Sequence, residues 1–247
     1  MGVMRKRIKP IVVYVVLALL GLALVIANIH NTSKQQAHLQ NVKSALPYAT
    51  TPKTTTSSTS SSSDEELILN PIIDLSGWQL PQDIDYDVLS NHISGAIIRV
   101  FGGSQISKDS NAASSNGVDK SFTAHIKELK KRDVPVAVYS YAQGTSVKEM
   151  KEEARIFYKN ASPYKPTYYW IDVEEETMSN MEQGVQAFLA ELKRLGAENV
   201  GLYIGAYFML EQEVSTKNFD AVWIPAYGTD SGYYEALPNT EIDYDLH

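Results

Sequence analysis

Cysteine is absent from the chain. Its absence excludes disulfides, thiolate metal sites, a cysteine nucleophile and lipid attachment through a thiol. Net positive charge is absent too. The formal charge is -7 over 247 residues, and no basic cluster occurs beyond the amino-terminal tail. Nucleic-acid binders concentrate Lys and Arg on one face, so that class is disfavoured. No GxGxxG or Walker pattern follows a strand-like stretch; Gly102-Gly103 opens a polar loop to about Asp119, with no sign of nucleotide binding. The acidic run Asp83-Ile84-Asp85-Tyr86-Asp87 lacks the spacing of a calcium loop, with Val88 and Ser94 where Gly and Glu are needed. Those acids are expected to begin a helix, Tyr86 to Asn91, where negative charge suits the dipole. No metal or cofactor is expected.

What is present is ordinary globular composition, 44% hydrophobic and 21% charged, enough for a core that needs no cross-links. It follows an unusual beginning. Residues 1–9 are basic, with Arg5, Lys6, Arg7 and Lys9. Residues 10–29 carry no charge and reach the roughly 20 apolar residues that span a bilayer as a helix. The basic flank stays cytoplasmic by the positive-inside rule, so the remainder lies outside. A cleaved signal peptide is the competing reading. The apolar run is long for one, and Val25-Ile26-Ala27-Asn28-Ile29 is a poor cleavage site, which favours an uncleaved single-pass anchor at the cell membrane. Residues 30–66 follow without apolar periodicity and include the Ser/Thr-rich run Thr50 to Ser63, expected to be a flexible spacer.

From residue 67 to residue 247, strand-like and helix-like stretches alternate, which predicts an α/β domain with a largely parallel sheet. Strands are expected at 71–75, 95–101, 134–141, 168–174, 200–205 and 221–227. Helices are expected at 121–132, 146–159 and 181–195, the last ending at Gly196 as its C-cap. Residues 243–247 read as the start of a seventh strand, so the domain is expected to be incomplete as it stands.

The stretch Tyr168-Tyr169-Trp170-Ile171-Asp172-Val173-Glu174 organises this domain. Alternation along a strand puts Tyr168, Trp170, Asp172 and Glu174 on one face. Tyr169, Ile171 and Val173 share the other, apolar or aromatic throughout and suited to a covering helix. Two acids roughly 7 Å apart along a strand repel one another, the more so when buried. Folding does not need them, whereas cleavage of a glycosidic bond needs a proton donor and a second carboxylate nearby. Acids meeting solvent at a strand end are the plainer alternative. Tyr139 and Tyr141 also share a face, and they either line a sugar cleft or fill a barrel. Trp223 and Tyr227 are further cleft candidates.

Taken in order, several motifs resemble those of the glycoside hydrolase family 25 muramidases. Ile73-Asp74-Leu75-Ser76 with Trp78-Gln79 is similar to the family's opening Asp strand and nearby Gln. Gly95-Ala96-Ile97-Ile98-Arg99 resembles the second strand. Val138-Tyr139-Ser140-Tyr141-Ala142 resembles the Tyr-His-Phe-Ala strand, with Ser140 where His is usual. Ile171-Asp172-Val173-Glu174 matches the Asp-x-Glu signature. Gly201-Leu202-Tyr203 and Trp223-Ile224-Pro225-Ala226-Tyr227 fit later strands, and Tyr244-Asp245-Leu246-His247 the approach to another.

The resemblance implies an irregular TIM-like (β/α) barrel apparently lacking its last strand; the apolar run and the low-complexity stretch put a transmembrane helix and a disordered linker before it. It implies a lysozyme that cuts the β-1,4 bond between N-acetylmuramic acid and N-acetylglucosamine in peptidoglycan glycan strands. Glu174 would be the general acid. Asp172 and Asp74 would flank the scissile sugar, one stabilising positive charge and one orienting the 2-acetamido group. Tyr139, Tyr141, Trp170, Trp223, Tyr227 and Gln79 would bind the saccharide. The family usually closes with a further strand bearing another active-site acid, and none follows His247 here. That leaves open a second expectation: a catalytically impaired module that binds peptidoglycan at the membrane. The motifs specify neither retention nor inversion, nor an oligomeric state.

Overall fold

The computed structural model describes residues 70–229 and 237–247. The basic tail, the anchor expected at 10–29 and the spacer at 30–66 lie outside the described residues. Among the described residues, no helix is long and apolar enough to cross a membrane.

Among the described residues, six strands run in chain order: β1 (Ile72–Leu75), β2 (Gly95–Phe101), β3 (Val136–Tyr141), β4 (Tyr169–Val173), β5 (Val200–Ile204) and β6 (Ala221–Trp223). They form one sheet in the order β1-β2-β3-β4-β5-β6, with every pairing parallel. Parallel neighbours need crossovers, and helices supply most of them. These are α1 (Tyr86–Ser90), α2 (Phe122–Lys130), α3 (Val147–Ala161), α4 (Met181–Leu195) and α5 (Ala206–Glu211).

The helix ends follow local chemistry. The Asp85 carboxylate accepts from the Asp87 and Val88 amides, so the acidic run does begin α1. The Ser146 hydroxyl caps α3 and the Asn180 side chain caps α4. Gly196 ends α4 in the left-handed conformation, φ 106°, as expected of a C-cap glycine.

The sheet has two different faces. Outward residues of the strands, Ile98, Val100, Val138, Ile171, Val173 and Leu202 among them, pack with Ile126, Leu129, Met150, Phe157 and Phe188 of the helices into the main core. Tyr169 belongs to this face and meets Phe157 edge-on at 5.6 Å. The apolar face expected to take a covering helix therefore does so. Inward residues Ile97, Ala137, Trp170 and Ala221 form a second cluster with Tyr139, Tyr168, Trp223 and Leu246 against it. Residues of both sheet edges, Ile72 of β1 and Ala221 of β6, line a single pocket. The sheet is thus curled into part of a barrel, open between β1 and β6 among the described residues.

One strand is shorter than expected, one helix was not expected, and the expected seventh strand is reduced to a bridge. The sixth strand stops at Trp223 rather than Tyr227, and Pro225 just beyond it has no N–H to give a ladder. The short helix α5 follows Gly205, where no amphipathic run announces it. Residues 243–247 do approach β6 in parallel, through a single bridge of Trp223 with Leu246 and bonds such as Ile224 N to Leu246 O, 3.0 Å.

Gly201 shows how tightly the interior is filled. A Cβ there would lie 2.3 Å from the Trp170 ring, so the indole lies flat over bare backbone. Gly201→Val is expected to destabilise the domain by about 1–3 kcal/mol through overpacking. Thermal unfolding followed by circular dichroism checks this, and an unchanged Tm contradicts it.

Candidate active site

A cleft of about 360 Å³ opens at the carboxyl end of the strands, the end at which parallel α/β barrels carry their sites. Asp74 of β1, Tyr139 of β3, Asp172 at the end of β4 and Glu174 just past it line the cleft. Tyr203, Trp223, Pro225, Ala226, Tyr227 and His247 complete it. The alternation expected for residues 168–174 therefore holds, and curling of the sheet brings Asp74 of the opposite edge to the same cleft.

The carboxylates differ in setting. Asp172 is 7% exposed. Burial raises its pKa well above the ordinary range, and the charges of Glu174 and Asp74 add to the rise. Arg99 opposes it. Glu174 is exposed to the cleft, and burial of its carboxyl raises its pKa too, while a hydrogen bond from Asp172 works the other way. The two groups thus behave as one dyad, with the protonated Asp172 donating to Glu174. The second Asp172 oxygen, Oδ1, is buried without a hydrogen-bond partner. Asp74 is raised by burial alone, against one backbone hydrogen bond.

The aromatic wall is built in a chain. Trp170 meets Trp223 edge-on at 5.9 Å, and Trp223 meets Tyr203 edge-on at 4.7 Å. The Tyr203 and Tyr227 hydroxyls are hydrogen-bonded at 2.9 Å. Burial and that bond push the Tyr203 pKa strongly up, so it stays a neutral donor.

Three expected saccharide contacts do not line the cleft. Trp170 is 3% exposed and lines the pocket at the opposite end of the sheet, because the absence of a side chain at Gly201 lets its ring fill the interior. The Gln79 side chain turns back on its own turn, its Oε1 accepting from Ser76 N at 3.0 Å and Ser76 Oγ at 3.2 Å. Tyr141 shares the face of Tyr139 but is hydrogen-bonded to Glu175, and burial raises its pKa. Ser140, at the position where the resemblance expects His, is fully buried on the helix side of β3 with no partner for its hydroxyl.

Two groups near the carboxylates were not anticipated. Tyr203 is reached from Gly201 by the same two-residue alternation that was read at 168–174, so the signal was available. Arg99 is the only charged residue of β2. Its Nε donates to Asp119 Oδ2 at 2.9 Å, with that carboxylate wholly buried. Asp119 also accepts from the Gly77 and Ser121 amides, tying the β1 loop to the start of α2.

The loops around the mouth are similarly anchored. Glu153, 1% exposed on α3, accepts from Ser104 N and Gln143 N, holding the loops after β2 and β3. Buried His125 links Tyr86 OH to the Ser76 carbonyl. A carbonyl only accepts, so Nε2 carries the proton and Nδ1 accepts from the tyrosine. Burial lowers the His125 pKa and keeps the ring neutral. Among the described residues, no group of three or more His, Asp or Glu side chains is arranged to hold a metal ion.

Comparison with known proteins agrees with this geometry. A sequence model of the family "Glycosyl hydrolases family 25" matches residues 73–242. No curated protein sequence matches. Among solved structures, the chain is 55% identical to GHIP, a glycosyl hydrolase 25 of Streptococcus pneumoniae described as a virulence factor participating in host cell invasion. That match covers 72% of this chain and 78% of that one, with a TM-score of 0.70. The catalytic domain of endolysin ply40, from bacteriophage P40 of Listeria monocytogenes, is 26% identical over 70% of this chain and 81% of its own, TM-score 0.59. The modular Cpl-1 endolysin, solved with a peptidoglycan analogue, shares the fold at 17% identity over 70% of this chain and 48% of its own, TM-score 0.52. The chain belongs to glycosyl hydrolase family 25.

Proposed function

We propose that this chain is a peptidoglycan hydrolase that cleaves the β-1,4 bond between N-acetylmuramic acid and N-acetylglucosamine, with Glu174 as the proton donor. The observation that carries this reading is the convergence of Asp74, Asp172 and Glu174 in one cleft walled by Tyr139, Tyr203, Trp223 and Tyr227. Flat rings suit the apolar faces of pyranoses, and the acids supply what glycoside cleavage requires.

Glu174 is the member of the dyad open to the cleft, so it is the group that reaches a glycosidic oxygen. Asp172, deeper and harder to ionise, shares one proton with Glu174 and passes it to Glu174, which gives it to the leaving oxygen, so that both acids end ionised. Departure of the leaving sugar leaves positive charge on the anomeric carbon. Asp74 and the carboxylate formed in the dyad face that charge in a partly dehydrated cleft, where electrostatic stabilisation counts most.

In the same reading, residues 10–29 anchor the protein and residues 30–66 hold the domain off the membrane, towards the wall. Cell fractionation tests the anchor: an intact chain released by salt alone contradicts it. Incubation of the full-length chain with purified Gram-positive peptidoglycan tests the activity. New reducing ends at muramic acid and falling turbidity are expected. Binding without cleavage returns the alternative, a wall-binding module.

A further inference from the structure

We propose that Trp78 is a second glycan-binding platform, outside the cleft, that holds the strand as it leaves the reacting centre on the β1 side. This rests on reading the cleft as a glycanase site, and it adds a contact that the cleft residues do not supply.

Trp78 is 63% exposed, whereas Trp170 is buried and Trp223 is half-buried in the cleft wall. Tryptophan is highly buried on average, so an open indole calls for an explanation. Leu80 beside it is also exposed. The exposure is not that of a loose loop. Trp78 N donates to Ser76 Oγ at 3.3 Å and Gln79 N to Ser76 O at 3.1 Å. Gln79 Oε1 closes the turn on Ser76, and Gly77 N donates to buried Asp119 at 2.7 Å. The turn is packed so closely that a Cβ on Gly77 would lie 2.2 Å from the Ala112 carbonyl oxygen. The indole is therefore presented on a rigid mount, and a preordered flat face loses little entropy when a ligand covers it.

Its place in the fold gives the direction. Trp78 follows Asp74 by four residues at the carboxyl end of edge strand β1. At the other edge, beyond β6, Tyr227 is 81% exposed and bonded to Tyr203. Trp78 thus stands beyond the β1 edge at the end of the strands that carries the cleft, while Tyr227 belongs to the cleft wall beyond β6. The cleft, about 360 Å³, is at the small end for binding pockets. A polymeric glycan must run beyond it.

The test uses the full-length chain with glycan strands freed of stem peptides and sorted by length. Trp78→Ala is expected to raise KM about tenfold on strands of about eight or more sugars, from the lost apolar contact. It leaves kcat, Tm and KM on the shortest cleaved strand nearly unchanged, and Trp78→Phe recovers most of the long-strand KM. An unaltered long-strand KM in Trp78→Ala overturns the proposal. An equal loss on every length also overturns it, because it puts Trp78 in the cleft machinery. If wild type cleaves no strand, the hydrolase reading fails instead. Tryptophan fluorescence titrated with the same long strands then decides the platform: a quench abolished in Trp78→Ala supports it, and an undiminished quench overturns it.

Discussion

Glu174→Gln is expected to lower kcat on peptidoglycan by about 10²–10⁴-fold, the usual worth of a positioned general acid, with the fold and glycan binding retained. The amide keeps the shape of the side chain and its hydrogen bonding to Asp172 but cannot deliver a proton. Because Glu174 is open to the cleft, little packing is at stake, so Tm changes little. Reducing-end release and glycan pull-down on the same preparation separate chemistry from binding. Activity within about threefold of wild type would remove Glu174 from the acid role. The pH profile offers a second reading. The dyad must keep one proton to act, and burial raises the pKa of both members. The alkaline limb of kcat is therefore expected above the ordinary carboxylate range, and it reports the pair rather than either acid alone.

Asp172→Asn is expected to do two opposite things: to cost activity on the order of 10²-fold or more, and to stabilise the protein. The stability sign follows from proton linkage. In the unfolded chain Asp172 ionises near pH 4. In the fold burial holds its proton to much higher pH. Between those two points the native state binds more protons than the unfolded state, so stability falls as pH rises. It is fully present below the unfolded pKa. Asparagine cannot ionise in either state, so it removes that loss. At pH 8 the variant is expected to gain on the order of 1–2 kcal/mol, or about 2–8 °C in Tm. The gain shrinks towards zero near pH 4. Equal Tm differences at pH 4 and pH 8 would refute the coupling. A variant that is both inactive and less stable at pH 8 would show that the Asp172 carboxylate serves packing, not chemistry.

Several parts of the site were legible because strand alternation is a local property. The parity of Asp172 and Glu174 with Trp170, and of Tyr169, Ile171 and Val173 with the helices, follows from a two-residue repeat that no neighbour alters. Capping was legible for the same reason: Asp85, Ser146, Asn180 and Gly196 act on their own turns. Parity does not give depth. Trp170 and Trp223 are both inward-facing aromatics, yet one fills the interior and the other walls the cleft. The difference comes from Gly201 on the next strand, which makes room for the Trp170 ring. Gln79 lies outside the cleft lining because a loop amide competes for nearby backbone groups, and here it satisfies Ser76. Tyr141 lies on the expected face, but Glu175 engages its hydroxyl.

The family, the order of the elements and the three candidate acids were legible in the sequence alone, since motif order and alternation are properties of the chain. Only the tertiary structure decided that Asp74 meets Asp172 and Glu174. That meeting needs the sheet to curl until its first and last strands line one cleft. The fold also sets the two acids of the dyad apart. On one strand the two carboxyls are chemically alike; burial of Asp172 and exposure of Glu174 make them different, because an ion costs more where water is excluded.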